Sequence, residues 1–153
     1  ALPQLKLGWM AVGGPDALVR EALARLELIA DSYLSVAAPV QHALPELLSA
    51  TRSTTAALRH RIGENLGVLQ RALAGSAVTP LHVEGGWYAV LRLPRTRSEE
   101  SWVIELVERA GVLVQPGWFF DFPDEPYVVV SLLTPPAELE QGLGHLVQLV
   151  GRD

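Results

Sequence analysis

The residue pattern changes character at Gly75, and that change limits the fold more than any other feature. Before it, apolar residues recur at helical spacings of three and four: Leu18, Ala22, Leu26, Ile29 and Tyr33 in one segment, Leu58, Ile62, Leu66, Leu69 and Leu73 in another. After it, short apolar or alternating runs take turns with helical segments. The spacing predicts a helix over 15–34 with Asp16 as its cap, and then a connector with Pro39 and Pro45 leading into a short helix that starts near one of the prolines. A long helix over 51–74 follows, weakened by Gly63 and Gly67 and stopped by Gly75. Beyond it the pattern predicts a strand over 82–94, with a bulge or a close backbone approach at Gly85 and Gly86. A Thr96/Glu99 capping box then opens a helix with Trp102, Val103, Leu106, Val107 and Ala110 inward, stopped by Gly111. A strand over 112–114, an aromatic loop over 116–124, a strand over 127–133 and a last helix from Pro135 and Pro136 complete the chain. Strand, helix, strand, strand, helix is the order of a mixed α/β class, a small sheet covered by helices.

The opening run LKLGWMAVGG, residues 5–14, is short, apolar and closed by paired glycines, which reads as a buried strand. A buried strand needs neighbours, and no nearby segment offers one. The chain is therefore expected to begin inside a sheet whose other strands lie upstream.

Composition excludes several classes of function. Apolar residues at 49% and charged ones at 19% supply a core and leave too little charge for disorder. A net charge of -5 gives no basic field to neutralise phosphates, so nucleic acid is not an expected partner. Without cysteine there is no disulfide framework, no thiolate zinc site and no thiol nucleophile. No apolar run approaches a membrane span and no signal-peptide order opens the chain, so a cytoplasmic protein without a membrane partner is expected.

Local motifs are few. His42, His60, His82 and His145 lack ligand spacing, so no metal site is expected, and there is no GxSxG elbow, P-loop or GxGxxG. Glu99, Glu100, Glu105 and Glu108 lie along one helix and read as a solvated face. Lys6 is the sole lysine. Either its stem covers apolar surface while the ammonium reaches water, or it is a point charge for a ligand phosphate.

The segment ALPQLKLGWMAVGGP, residues 1–15, is similar to the stretch that follows the Schiff-base lysine in class I/II aminotransferases, the fold type I enzymes that use pyridoxal 5′-phosphate (PLP). The rest of the chain agrees in order. Pro39-Val40-Gln41 falls in the loop after the first helix, Gly85-Gly86-Trp87-Tyr88 before a strand, Val114-Gln115-Pro116-Gly117 before an aromatic loop, and Ser131-Leu132-Leu133 in the last strand.

This resemblance implies that residues 1–50 are the tail of a large PLP-binding domain and residues 51–153 a connecting helix and small C-terminal domain. It places the Schiff-base lysine just before Ala1, so the chain alone is expected to be inactive. Lys6 matches the basic residue that contacts the cofactor phosphate, often arginine, and a lysine keeps the charge but loses the bidentate fork. Val129 stands where the family usually has the arginine that grips the substrate carboxylate; Arg92 or Arg95 would then supply that charge, or the substrate lacks an ordinary α-carboxylate. Gly86 and Tyr88 match the strand bordering the substrate pocket, although paired aromatics on a strand also suit core packing. Residues 35–41 match a loop that reaches the partner's site in a dimer, or are only a connector. The implied partners are an amino acid or amine and a 2-oxo acid, with a homodimeric parent. Two other readings stand beside this one. They are a self-contained ligand-binding or regulatory module, which has no reason to open on an unpaired strand, and an aminotransferase-like sensor domain of a transcription regulator. The residues encoded immediately before Ala1 discriminate among them.

Overall fold

The computed structural model describes residues 2–33, 35–122 and 126–152. They fall into two units, Ala1–Thr55 and Ala56–Asp153.

In the first unit, α1 spans Asp16–Asp31 and α2 spans Ala38–Ala50. Asp16 is inside the first turn of α1, where its carboxylate meets the positive end of the helix dipole; the cap itself is Pro15, with no side-chain bond. Leu34, the expected end of that helix, is outside the described residues. Pro39 sits in the first turn of α2, where its missing N–H is no loss, and the helix continues through Pro45. The expected strand over 5–14 is not formed. A single 3-10 turn, Pro3–Leu5, closes on Lys6 in the left-handed region (φ 52°), and the following residues are irregular, with Trp9 69% and Met10 74% exposed. Strand backbone pairs only with another strand, and among the described residues none pairs with this segment. No described residue before position 56 is buried.

Helix α3, Arg52–Leu73, carries Asn65, Leu69 and Leu73 on its buried side, and the chain turns at Gly75 with φ 74°. The second unit holds a sheet of β1 (Thr79–Pro80), β2 (Tyr88–Arg92), β3 (Gln115–Pro116) and β4 (Tyr127–Ser131), ordered β1-β2-β4-β3 with each neighbouring pair antiparallel. The β2/β4 register pairs Leu91 with Val128 and Ala89 with Val130 on the core face. On that face lie α4 (Glu99–Ala110), through Trp102 and Leu106, and α5 (Pro136–Val150), through Leu139, Leu143 and Leu146; Leu69 and Leu73 of α3 complete the cluster. Trp102, Leu69, Leu91, Leu106 and Leu132 are fully buried, and each contributes about 1.5–3 kcal/mol from burial.

Several local devices fix this unit. Asn65 donates from Nδ2 to the carbonyls of Leu132 and Thr134, both at 2.8 Å, and so ties α3 to the turn between β4 and α5. Gly111 adopts φ 65°, which lets the Val112 N–H reach the Leu106 carbonyl at 2.8 Å and ends α4. The cap of α4 is Ser98, whose Oγ accepts from the Ser101 N–H at 3.2 Å, in place of the expected Thr96/Glu99 box. The expected strand over 112–114 leaves only Gln115–Pro116 paired, and the strand over 127–133 ends at Ser131. Of the aromatic loop over 116–124, residues 123 and 124 are outside the described residues.

Candidate functional site

Because side chains alternate along a strand, the residues between the core positions of β2 and β4 share the opposite face: Tyr88, Val90 and Arg92 with Ser131, Val129 and Tyr127. Val129 is opposite Val90, Tyr88 opposite Ser131 and Arg92 opposite Tyr127. Val129 is 3% exposed yet stands apart from the core cluster, so it is buried on this outer face. Arg92 is two residues from Val90 on the same face and thus a diagonal neighbour of Val129, at about 7–8 Å between such positions. A guanidinium spans that distance. The Arg92 side chain is exposed and has no ion-pair partner among the described residues. Arg95 lies beyond the strand in an exposed turn, off this face.

Gly86, just before β2, has φ 76°, and a Cβ built there would meet nothing within 4 Å. The close backbone approach expected here is not made; the positive φ is what favours glycine. The turn it makes delivers Trp87 and Tyr88, whose ring centroids are 6.1 Å apart. Tyr88 also meets Phe120 at 6.2 Å, and Trp118 meets Phe119 edge-on at 4.2 Å. Phe120 ends a 3-10 turn, Gly117–Phe120, so the aromatic loop expected from sequence joins the outer face of the sheet.

Tyr88, Val129 and Ser131 also line a cleft of about 610 Å³, together with Val112 and Gln115 and with Glu138, Gln141 and His145 of α5. That volume is in the range of small-molecule sites. Its lining includes one carboxylate, Glu138, and no lysine or arginine. His145 is anchored through Nδ1 to the Ala110 carbonyl at 3.0 Å.

The residue that sequence reasoning misplaced is Glu99. Far from belonging to a solvated face, it is 3% exposed, and its Oε1 and Oε2 accept from the backbone N–H groups of Trp118 (2.9 Å) and Tyr127 (2.8 Å). Glu105 is also drawn in, paired with Arg97 and Arg109, while Arg97 stacks over Trp102 at 4.5 Å.

In the first unit, Lys6 is exposed, its N–H bonded to the Pro3 carbonyl at 3.2 Å, and its ammonium has no ion-pair partner among the described residues. An unpaired ammonium beside a tight turn suits one phosphate contact of PLP. Pro39, Val40 and Gln41, expected in a loop, lie in the first turn of α2, and Gln41 Nε2 donates to the Val36 carbonyl at 2.8 Å.

Residues 1–146 match the family model described as aminotransferase class I and II. Among solved structures the chain is similar to a PLP-dependent aminotransferase from Streptococcus suis (TM-score 0.76, 21% identity), over 99% of this chain and 39% of that one. It is also similar to a probable N-succinyldiaminopimelate aminotransferase from Thermus thermophilus (TM-score 0.72, 26% identity), over 84% and 34%. An aromatic aminotransferase from Pyrococcus horikoshii matches with TM-score 0.67 and 19% identity, over 92% and 38%. The chain thus spans between about a third and two fifths of the length of these proteins, and 24% of an aspartate aminotransferase from Rhodobacter sphaeroides. A comparison with curated sequences finds no match.

Proposed function

This chain belongs to the aminotransferase class I and II family, and from that premise we propose that it forms the C-terminal part of an enzyme that moves an amino group from an amino acid or amine to a 2-oxo acid. In that enzyme, residues 1–50 close the large cofactor-binding domain, residues 51–153 make the connecting helix and small domain, and two copies pair in the cytoplasm. The observation that carries the reading is the continuity of the likeness, since the family match runs over residues 1–146, through both units, with a shared fold over 99% of the chain.

PLP, when bound, supplies the electron-withdrawing ring that lets a proton leave the carbon bearing the amino group. The chain's own residues have narrower tasks. Lys6 holds a phosphate oxygen as a point charge. The outer sheet face borders the substrate, with Tyr88 and Phe120 as apolar surface and Gly86 setting the approach of Tyr88. Val129 offers no charge, so an anionic substrate group on this face is met by Arg92. No lysine remains to accept and return the proton, which makes the chain by itself inactive in this reading.

The test is to express the gene with the codons upstream of Ala1 and, separately, this chain, each supplied with PLP, an amino donor and a 2-oxo acid. Formation of the new amino acid by the longer product alone is the expected result. Turnover by this chain alone overturns the division of labour, and a longer product that neither binds PLP nor exchanges amino groups overturns the activity.

A further inference from the structure

Glu99 is the first residue of α4, and with Trp102 and Leu106 it lies on that helix's buried side. Desolvating a carboxylate is costly unless it is well bonded. The helix itself does not need it there, because Ser98 already caps α4. Its two oxygens instead hold backbone N–H groups 19 and 28 residues further on, one in the aromatic turn and one at the start of β4.

Another observation shows that the same turn is fitted closely against β4. A Cβ on Gly117 would lie 2.8 Å from the Tyr127 Cβ and 3.0 Å from Glu99 Oε2, so only glycine lets the turn press this closely against β4. On this pinned backbone the side chains face outward, with Trp118 61% exposed and Phe120 against Tyr88. Tyr88 lines the cleft whose one carboxylate is Glu138 and which holds no lysine or arginine. A cleft with one aromatic ring, Tyr88, and one carboxylate in its lining, and no lysine or arginine, complements an amine with a planar apolar body.

We propose that Glu99 is a positioning residue whose buried carboxylate locks the Gly117–Phe120 turn so that Phe120 braces Tyr88, and that the Tyr88 ring so held receives the planar apolar group of an amine ligand. The inference deepens the aminotransferase reading, on which it rests for taking that ligand to be the amino donor.

The experiment uses the full chain and needs neither cofactor nor turnover. 2-Phenylethylamine is titrated by NMR, with ethylamine as the ringless control and phenylacetate as the same ring with opposite charge. Selective shifts at Tyr88 and Phe120 with 2-phenylethylamine are expected. In Glu99→Gln, the Trp118 and Tyr127 amides lose hydrogen-exchange protection and 2-phenylethylamine binds about tenfold more weakly, while Leu91 and Val128 stay protected. Gly117→Ala, which moves the turn with the carboxylate intact, gives the same weakening and carries the test if Glu99→Gln fails to fold. A wild-type chain without a ring-dependent shift overturns the proposal. So does a variant with freed amides that still binds the probe as tightly, or phenylacetate binding as well as the amine. Any of these failures leaves the amino-transfer assay untouched, and failure of that assay leaves the NMR result standing.

Discussion

Val129 shows how one position separates what a strand needs from what a site needs. Its place opposite Val90, 3% exposed and outside the core cluster, leaves no room for a larger side chain that stays put. Val129→Arg is therefore expected to lower stability by roughly 1–3 kcal/mol through overpacking and a stranded charge, read from the urea midpoint. An unchanged midpoint would mean that the arginine escapes to solvent. Lys6 gives a second expectation at this scale. If Lys6 holds the phosphate as proposed and is not the attachment point, PLP followed by borohydride is expected to leave it without specific, stoichiometric modification. Stoichiometric labelling of Lys6 after digestion would reverse its assignment. Tyr88, Arg92 and Val129 were singled out through the family resemblance, and the strand parity and register put them on one face. Glu99 was not, because its partners lie 19 and 28 residues away. The available signal was its spacing, in step with Trp102 and Leu106, which puts a carboxylate on an apolar helix face.

Among elements, the helices were legible almost to their ends, since a helix pairs its own backbone locally and its apolar stripe repeats within the segment. The long helix expected over 51–74 is Arg52–Leu73, and the last begins at Pro136 as its two prolines suggested. Strands depend on partners that the segment does not contain. Residues 112–114 have a good strand composition yet remain irregular, while Gln115–Pro116 pairs with β4, and the run over 5–14 finds no partner among the described residues. Long-range polar ties do the aligning that periodicity cannot. Asn65 is fully buried and its Nδ2 serves two carbonyls around the β4–α5 turn. Asn65→Ala leaves both carbonyls short of a donor, and a loss of about 2–3 kcal/mol is expected in denaturant unfolding. The Leu139 amide, at the start of α5, is expected to exchange faster with it. A loss below about 0.5 kcal/mol would show that water replaces the amide without cost.

At the scale of the whole molecule, the two units differ in what holds them. Residues 56–152 share one cluster that joins α3, the sheet, α4 and α5. Before position 56 no described residue is buried, although Leu18, Leu23, Leu28 and Ile29 of α1 and Leu48 of α2 are large and apolar. Isolated helices of 16 and 13 residues are marginal in water without tertiary packing. Their opening free energy should therefore be small, whereas the β2 and β4 amides are expected to exchange through global unfolding. In hydrogen exchange on the full chain at low concentration, amides of α1 and α2 are expected to exchange at least about a hundredfold faster than those of Ala89, Leu91 and Val128. Protection of α1 and α2 that rises with protein concentration would identify a second copy as the cover for these leucines. Protection equal to that of β2 and β4 in a dilute monomer would instead show that the first unit is held as firmly as the second, and that the exposed apolar stripe of α1 is stable without a partner.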